Sequence, residues 1–220
     1  LDSLIKTRDP RFEATFYYKP TENAKSCGLY VTKFIPRSAL SYLNIEGGTP
    51  APEFQGDKNV TGYPVMRYAE VLLNWIEAKA ELATLGEAAV TQADIDISVN
   101  AIRKRPLDAE AIQHHVKQTA AMKLDQLNND PKRDADVPQP LWEIRRERRM
   151  ELAFEFSRII DLRRWKKLNY MDTDANPDLL LGAWVNFPTE LPVVLNEKTV
   201  GAYRVQNAAG KLVTYNGRNA

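Results

Sequence analysis

The pattern of apolar positions changes character at Tyr63-Pro64. Upstream, Leu1 to Tyr63 offers only short apolar runs, TFYYKP and GLYVTKFIP, interrupted by Pro and Gly, with the turn-rich GGTPAPEF after them. This predicts brief strands and extended loops. From Pro64, VMRYAEVLLNWIEAKAELATLG sets Met66, Ala69, Leu72/Leu73, Ile76, Ala80 and Ala83 three or four residues apart. That spacing predicts an amphipathic helix, entered at Pro64 and ended by Gly86. Thr91 opens a second helix with Asp94 as its capping-box partner; Ile95, Val99 and Ile102 form its stripe, and Pro106 stops it. The two helices make a hairpin, and Ala69 and Ala80 permit close approach.

A third helix is expected from Asp108 to Leu127, with Ile112, Val116, Leu124 and Leu127 inside. NNDPKRDADVPQP, Asn128 to Pro140, reads as an exposed loop. LWEIRRERRMELAFEFSRIIDLRRW, Leu141 to Trp165, then forms a late helix, with Phe156, Ile159/Ile160 and Leu162 on one face and Arg158, Arg163 and Arg164 on the other. MDTDANPD is a loop and WVNFPTELPVV is extended. YRVQNAAGKLVTYNG has two β-rich arms around Asn207 to Gly210, the signature of a hairpin. The expected class is mainly α: helical hairpins with loop-rich and short β-hairpin additions. Three stretches follow, an irregular 1–62, a helical 63–168 and a loop-rich 169–220.

Charge settles what the late helix can be. Between Glu143 and Glu155 four Arg face four Glu, so the stretch has no net charge, and the whole chain of 220 residues carries only +1. A phosphate-binding surface needs uncompensated cations, so nucleic acid is excluded as a partner. Glutamates at 143, 147, 151 and 155 recur every four residues beside Arg145, Arg146, Arg148 and Arg149, which places opposite charges one turn apart along the helix. The expected role is a structural network of Glu147, Arg148, Glu151, Glu155, Arg158, Asp161 and Arg163, with Asp161 an acceptor for arginine forks.

Other chemistry is sparse. His114 and His115 are adjacent, roughly 100° apart on a helix, and cannot share a metal as an i, i+4 pair does; a solvated polar face is expected. Asp134/Asp136 and Asp172/Asp174 lack the glycine turn and distant glutamate of a calcium loop. No phosphate loop or nucleophile elbow occurs, so neither metal nor cofactor is expected. Single Cys27 excludes an internal disulfide framework. Tyr68, Trp75 and Phe156, inside helices, are assigned to the core. Tyr17, Tyr18, Tyr30 and Tyr42, in irregular structure, are the candidate stacking platforms for sugar rings, whose C–H faces are apolar.

Three phrases, YPVMRYAEVLLNWIEAKAELATLG, SVNAIRKRP and RRERRMELAFEFSRIIDLRRW, resemble in this order the C-terminal half of the SusD/RagB family. DPRFEATFYY and WVNFPTEL are similar to phrases before and after them in that family. The resemblance implies a scaffold of tetratricopeptide-like hairpins and a non-catalytic, lipid-anchored outer-membrane protein of Bacteroidetes-type bacteria. It implies, as partners, oligosaccharide or another nutrient and a SusC-like, TonB-dependent transporter. The N-terminal lipid anchor falls outside this chain, which is expected to be part of a longer protein. Two rival readings are a tetratricopeptide-type adaptor and a glycoside hydrolase, the latter needing two carboxylates about 5–10 Å apart across one cleft.

Overall fold

The computed structural model describes residues 2–17, 29–40, 52–58, 60–180, 200–207 and 209–217. The chain forms two compact units, one of Leu1–Ile5, Glu13–Thr61 and Asp178–Ala220, the other of Lys6–Phe12 and Gly62–Pro177. Both ends of the chain thus fall in the first unit.

The second unit is helical and holds the main core. Helix α4 (Tyr68–Thr84) packs on α8 (Gln139–Glu151) and on α6 (Val99–Arg103), which follows α5 (Gln92–Ile97). Ala69, Leu73, Ile76 and Ala80 of α4 meet Ile95, Val99 and Ile102, with Leu141 and Ile144 of α8 closing the cluster. Each fully buried Leu or Ile stabilises by roughly 1.5–3 kcal/mol relative to exposure. The predicted three-and-four spacing therefore names the buried face of α4, apart from Met66, which is exposed ahead of the helix.

Helix boundaries follow local hydrogen bonding. α4 begins after Arg67 in extended conformation, four residues beyond the predicted entry at Pro64. It ends in a Schellman turn: Gly86, at φ +100, donates to the Ala83 carbonyl and Glu87 to that of Leu82. Thr91 and Asp94 make the predicted capping box, and Lys79 adds an ion pair to Asp94 at 2.6 Å. That cation, with the bonds from Thr91, holds the Asp94 carboxyl at about 2. The second predicted helix is broken at Ser98, whose hydroxyl donates to the Asp94 carbonyl at 2.6 Å.

Two long predicted helices are shorter than expected. In place of a helix to Leu127, α7 (Ala109–Gln113) ends where His115 turns left-handed at φ +59. His114 is half-buried and His115 exposed. Beyond them the backbone is held by side chains: Asn100 accepts from the Met122 N–H at 2.7 Å and donates to its carbonyl at 3.0 Å, while Gln92 accepts from Leu124 N–H. The late helix is interrupted after Glu151; Phe154 and Phe156 adopt φ +63 and +62 before α9 (Ser157–Arg164) begins. As a result Phe156 is 83% exposed, not core, and Ile159 and Ile160 face solvent while Leu162 is buried. Tyr68 and Trp75, also expected inside, are exposed on the outer side of α4. The 128–140 segment is less exposed than expected, since Val137 is buried in the core.

The first unit contains the short helices α1 (Asp2–Thr7), α2 (Pro10–Thr15) and α3 (Arg37–Leu40) in whole or part. Phe16 and Val31 form an antiparallel bridge, and the Arg37 guanidinium grips buried Glu13 at 2.7 and 2.9 Å. The predicted hairpin pairs β1 (Arg204–Gln206) with β2 (Leu212–Thr214), Val205 opposite Val213. Asn207 Oδ1 accepts from the N–H groups of Ala209 and Lys211 to tie its turn, and Gly210 supplies the positive φ of +75.

Candidate functional site

The chemistry of the helical unit is concentrated where the apolar stripe of α8 becomes ionic. Below Leu141 and Ile144 the same buried face carries Glu147 and Arg148, then Glu151. Glu147 is 0% exposed and Glu151 2% exposed. Carboxylates so placed must be charge-paired. Glu147 accepts from Arg11 Nη1 at 2.7 Å and from Arg103 Nη2 at 2.6 Å. Glu151 accepts from Arg67 Nη1 at 2.9 Å and Arg105 Nη2 at 2.5 Å, and Glu155 takes a bidentate fork from Arg67 at 2.8 and 2.6 Å.

The pairing therefore differs from the intrahelical ladder expected from the four-residue repeat. Only Glu143 finds its partner, Arg146, one turn away. Glu147, Glu151 and Glu155 instead bind arginines from other segments, tying α8 to α6 and to the residues preceding α4. These four arginines escaped the sequence reading because their partners lie 44 to 140 residues away. The available signal was a glutamate repeat falling on the buried face of its own helix.

A second cluster joins α4, α8 and α9. Arg148 Nε donates to Asp161 at 2.8 Å and Nη1 to Asn74 at 2.5 Å. Arg164 bridges Asp161 at 3.0 Å and buried Glu77 at 2.5 Å, and Trp165 Nε1 donates to Glu77 at 2.5 Å. Asp161 thus accepts two arginine forks. Arg163, expected in this network, is exposed, and Arg164 takes that place. Arg158 makes no ion pair within the network among the described residues; its guanidinium lies 5.7 Å from the centre of the Trp165 ring and feels the Asp161 charge.

Asp9 anchors the Arg11 end, accepting from Arg11 Nε and Nη2 at 2.7 Å each and from Thr119 at 2.9 Å. Burial alone would raise its pKa; the Arg11 bonds and charge outweigh that and hold it at about 2. Because this lies below the ordinary 3.8, the stabilisation is complete above about pH 4 and lost as pH falls through 2. Asp9→Asn should flatten the acid limb of stability, removing on the order of 1–2 kcal/mol between those values. Urea titrations at several pH values check this; equally steep limbs in both proteins would refute it.

The tyrosine platforms fare differently. Tyr17 is 4% exposed, its N–H bonded to the Tyr30 carbonyl beside the Phe16–Val31 bridge, so burial in that extended pair removes its ring from solvent. Tyr30 is half-buried. Tyr18 and Tyr42 lie outside the described residues, as do Cys27 and WVNFPTEL. Among the described residues no group of three or more His, Cys, Asp or Glu could hold a metal ion.

A model of the SusD family matches residues 3–210. The chain belongs to the SusD family. A curated relative, SusD-like protein P2 of Formosa agariphila, is 32% identical over 136 residues, covering 57% of this chain and 23% of the relative. The chain therefore corresponds to under a quarter of that SusD-like protein's length. No solved structure is a significant match. The three helical phrases that resemble the family all fall inside the matched residues, and each supplies charged residues of the buried network: Arg67 from the first, Arg103 and Arg105 from the second, and Glu147, Glu151 and Glu155 from the third. No helix among the described residues is long and apolar enough to cross a membrane.

Proposed function

We propose that this SusD-family chain is the scaffold-bearing part of a non-catalytic, nutrient-binding protein held at the outer membrane by a lipid anchor. It captures oligosaccharide at the cell surface and passes it to a SusC-like, TonB-dependent transporter. The observation that carries this reading is the family match across residues 3–210. The ionic clusters support the non-catalytic part: Glu147, Glu151 and Asp161 spend their oxygens on guanidinium groups that tie the helices together. A general acid needs a carboxyl free to exchange a proton with substrate. Recognition is left to the irregular segments, with Tyr18, Tyr30 and Tyr42 the stacking candidates.

Affinity electrophoresis of the protein against neutral and anionic polysaccharides tests the proposal. Retardation by at least one polysaccharide, with no reducing ends released on prolonged incubation, is the expected result. Migration unaffected by every polysaccharide, or steady release of reducing ends, would overturn it.

A further inference from the structure

Helix α4 is apolar on two opposite sides. One side is the buried row of Ala69, Leu73, Ile76 and Ala80. At roughly 100° per residue, Tyr68, Val71, Trp75, Ala78 and Leu82 fall on the far side of the same helix, and Leu85 extends their row past its last turn. All six are exposed, and they follow one another at alternating spacings of three and four.

A helix face that stays in water ordinarily carries charge. The polar side chains of α4 are spent elsewhere. Asn74, Glu77 and Glu81 accept from Arg148, Arg164 and Arg145, and Glu70 lies 3.9 Å from Arg148. Lys79, with its ammonium 5.7 Å from the centre of the Trp75 ring, is held by Asp94 at the edge of the row. None of these groups stands in the row itself. Helix α8 is the contrast: the residues it exposes are Arg146 and Arg149.

The row has the form of a seam for another helix. Threes alternating with fours over about 20 Å match the ridge that a second helix packs against, and Ala78 within the row leaves room for close approach. In stacked helical hairpins each unit buries its faces against its neighbours only, and the end units turn a polar face outward. α8 has such a face and α4 does not, so the stack continues past α4. A longer chain has the residues to continue it: the stretch matched in SusD-like protein P2 is 23% of that protein.

We infer that the Tyr68–Leu82 row is the docking seam for a further helical hairpin of the same polypeptide, supplied by sequence outside residues 1–220. This rests on the reading above that the chain is the scaffold-bearing part of a longer SusD-family protein; it does not depend on oligosaccharide capture.

The test uses the full-length protein in a background without other cysteines, Cys27→Ser included, carrying Val71→Cys or Ala78→Cys singly. Labelling of each thiol by a small maleimide is timed in native buffer and in urea. Native labelling slower by about tenfold or more at both positions is expected, because a thiol inside a helix seam reacts only when the seam opens. Slowing of less than about tenfold at either position overturns the inference. Protection that is lost on dilution, in step with a dimer dissociating by light scattering, assigns the row to a second copy and overturns it. Fast labelling of the protein alone that slows only with a transporter bound assigns the row to that partner and overturns it too. Retardation by polysaccharide is read separately, so failure of the seam leaves the capture reading standing.

Discussion

Glu147→Ala is expected to destabilise the helical unit by roughly 3–5 kcal/mol, the cost of stranding a buried charge. The side chain is fully buried and each of its oxygens meets a guanidinium, Arg11 on one and Arg103 on the other. Those arginines are themselves only 14% and 10% exposed, so water cannot replace the lost acceptor without opening the packing. For a chain of this size the midpoint of thermal unfolding should fall by about 10 °C. Far-ultraviolet circular dichroism on heating measures it. Glu147→Gln should lie between, since one amide oxygen still accepts while the charge is gone. Changing Glu147 and Arg103 together to Leu and Met should recover part of the loss, because Arg11 keeps Asp9 and Glu151 as partners while the second stranded charge is removed. If Glu147→Ala melts within a degree or two of the parent, the cluster is not what holds α8 in place.

The burial and pairing of Glu147 are only half legible in the local sequence. Periodicity placed Leu73, Ile76, Ile95, Val99 and Ile102 in the core because burial of a helix face repeats every three to four residues. On α8 the structure puts Glu147 and Glu151 on the buried face with Leu141 and Ile144, whereas the four-residue repeat in the sequence points to the neighbouring arginines as their partners. The actual partners, Arg11, Arg67, Arg103 and Arg105, are fixed by tertiary packing, which no short-range pattern encodes. Helix ends divide in the same way. Gly86 and the Thr91–Asp94 box announced themselves through residue types that favour those conformations. His115, Phe154 and Phe156 turn left-handed without glycine, so the ends they impose were invisible. For that reason the sequence pattern predicts Phe156 in the core, while the left-handed turn leaves it exposed. Tyr17 differs in the opposite direction: the irregular segment predicts a free ring, and a short extended pair with Tyr30 buries it.

Arg148→Ala and Arg163→Ala, two apparently equivalent changes in one charged run, should give opposite outcomes. Arg148 is 5% exposed and sits where α4, α8 and α9 meet, donating to Asp161 and Asn74 with Glu77 3.8 Å away. Its removal leaves Asp161, 2% exposed, with Arg164 as its remaining fork and brings two buried carboxylates, Asp161 and Glu77, under a single guanidinium. A loss of roughly 3 kcal/mol or more is expected, measured as a lower urea midpoint with an unchanged slope. Arg148→Lys should recover little, because an ammonium group cannot reach Asp161 and Asn74 with the fixed fork that spans them. Arg163 is exposed, and surface substitutions of this kind stay within about 0.5 kcal/mol. Equal losses at both positions would mean that net positive charge along the run, not the Arg148–Asp161 contact, sustains the fold; a large loss at Arg148 alone ties stability to that one fork and to the meeting of three helices around it.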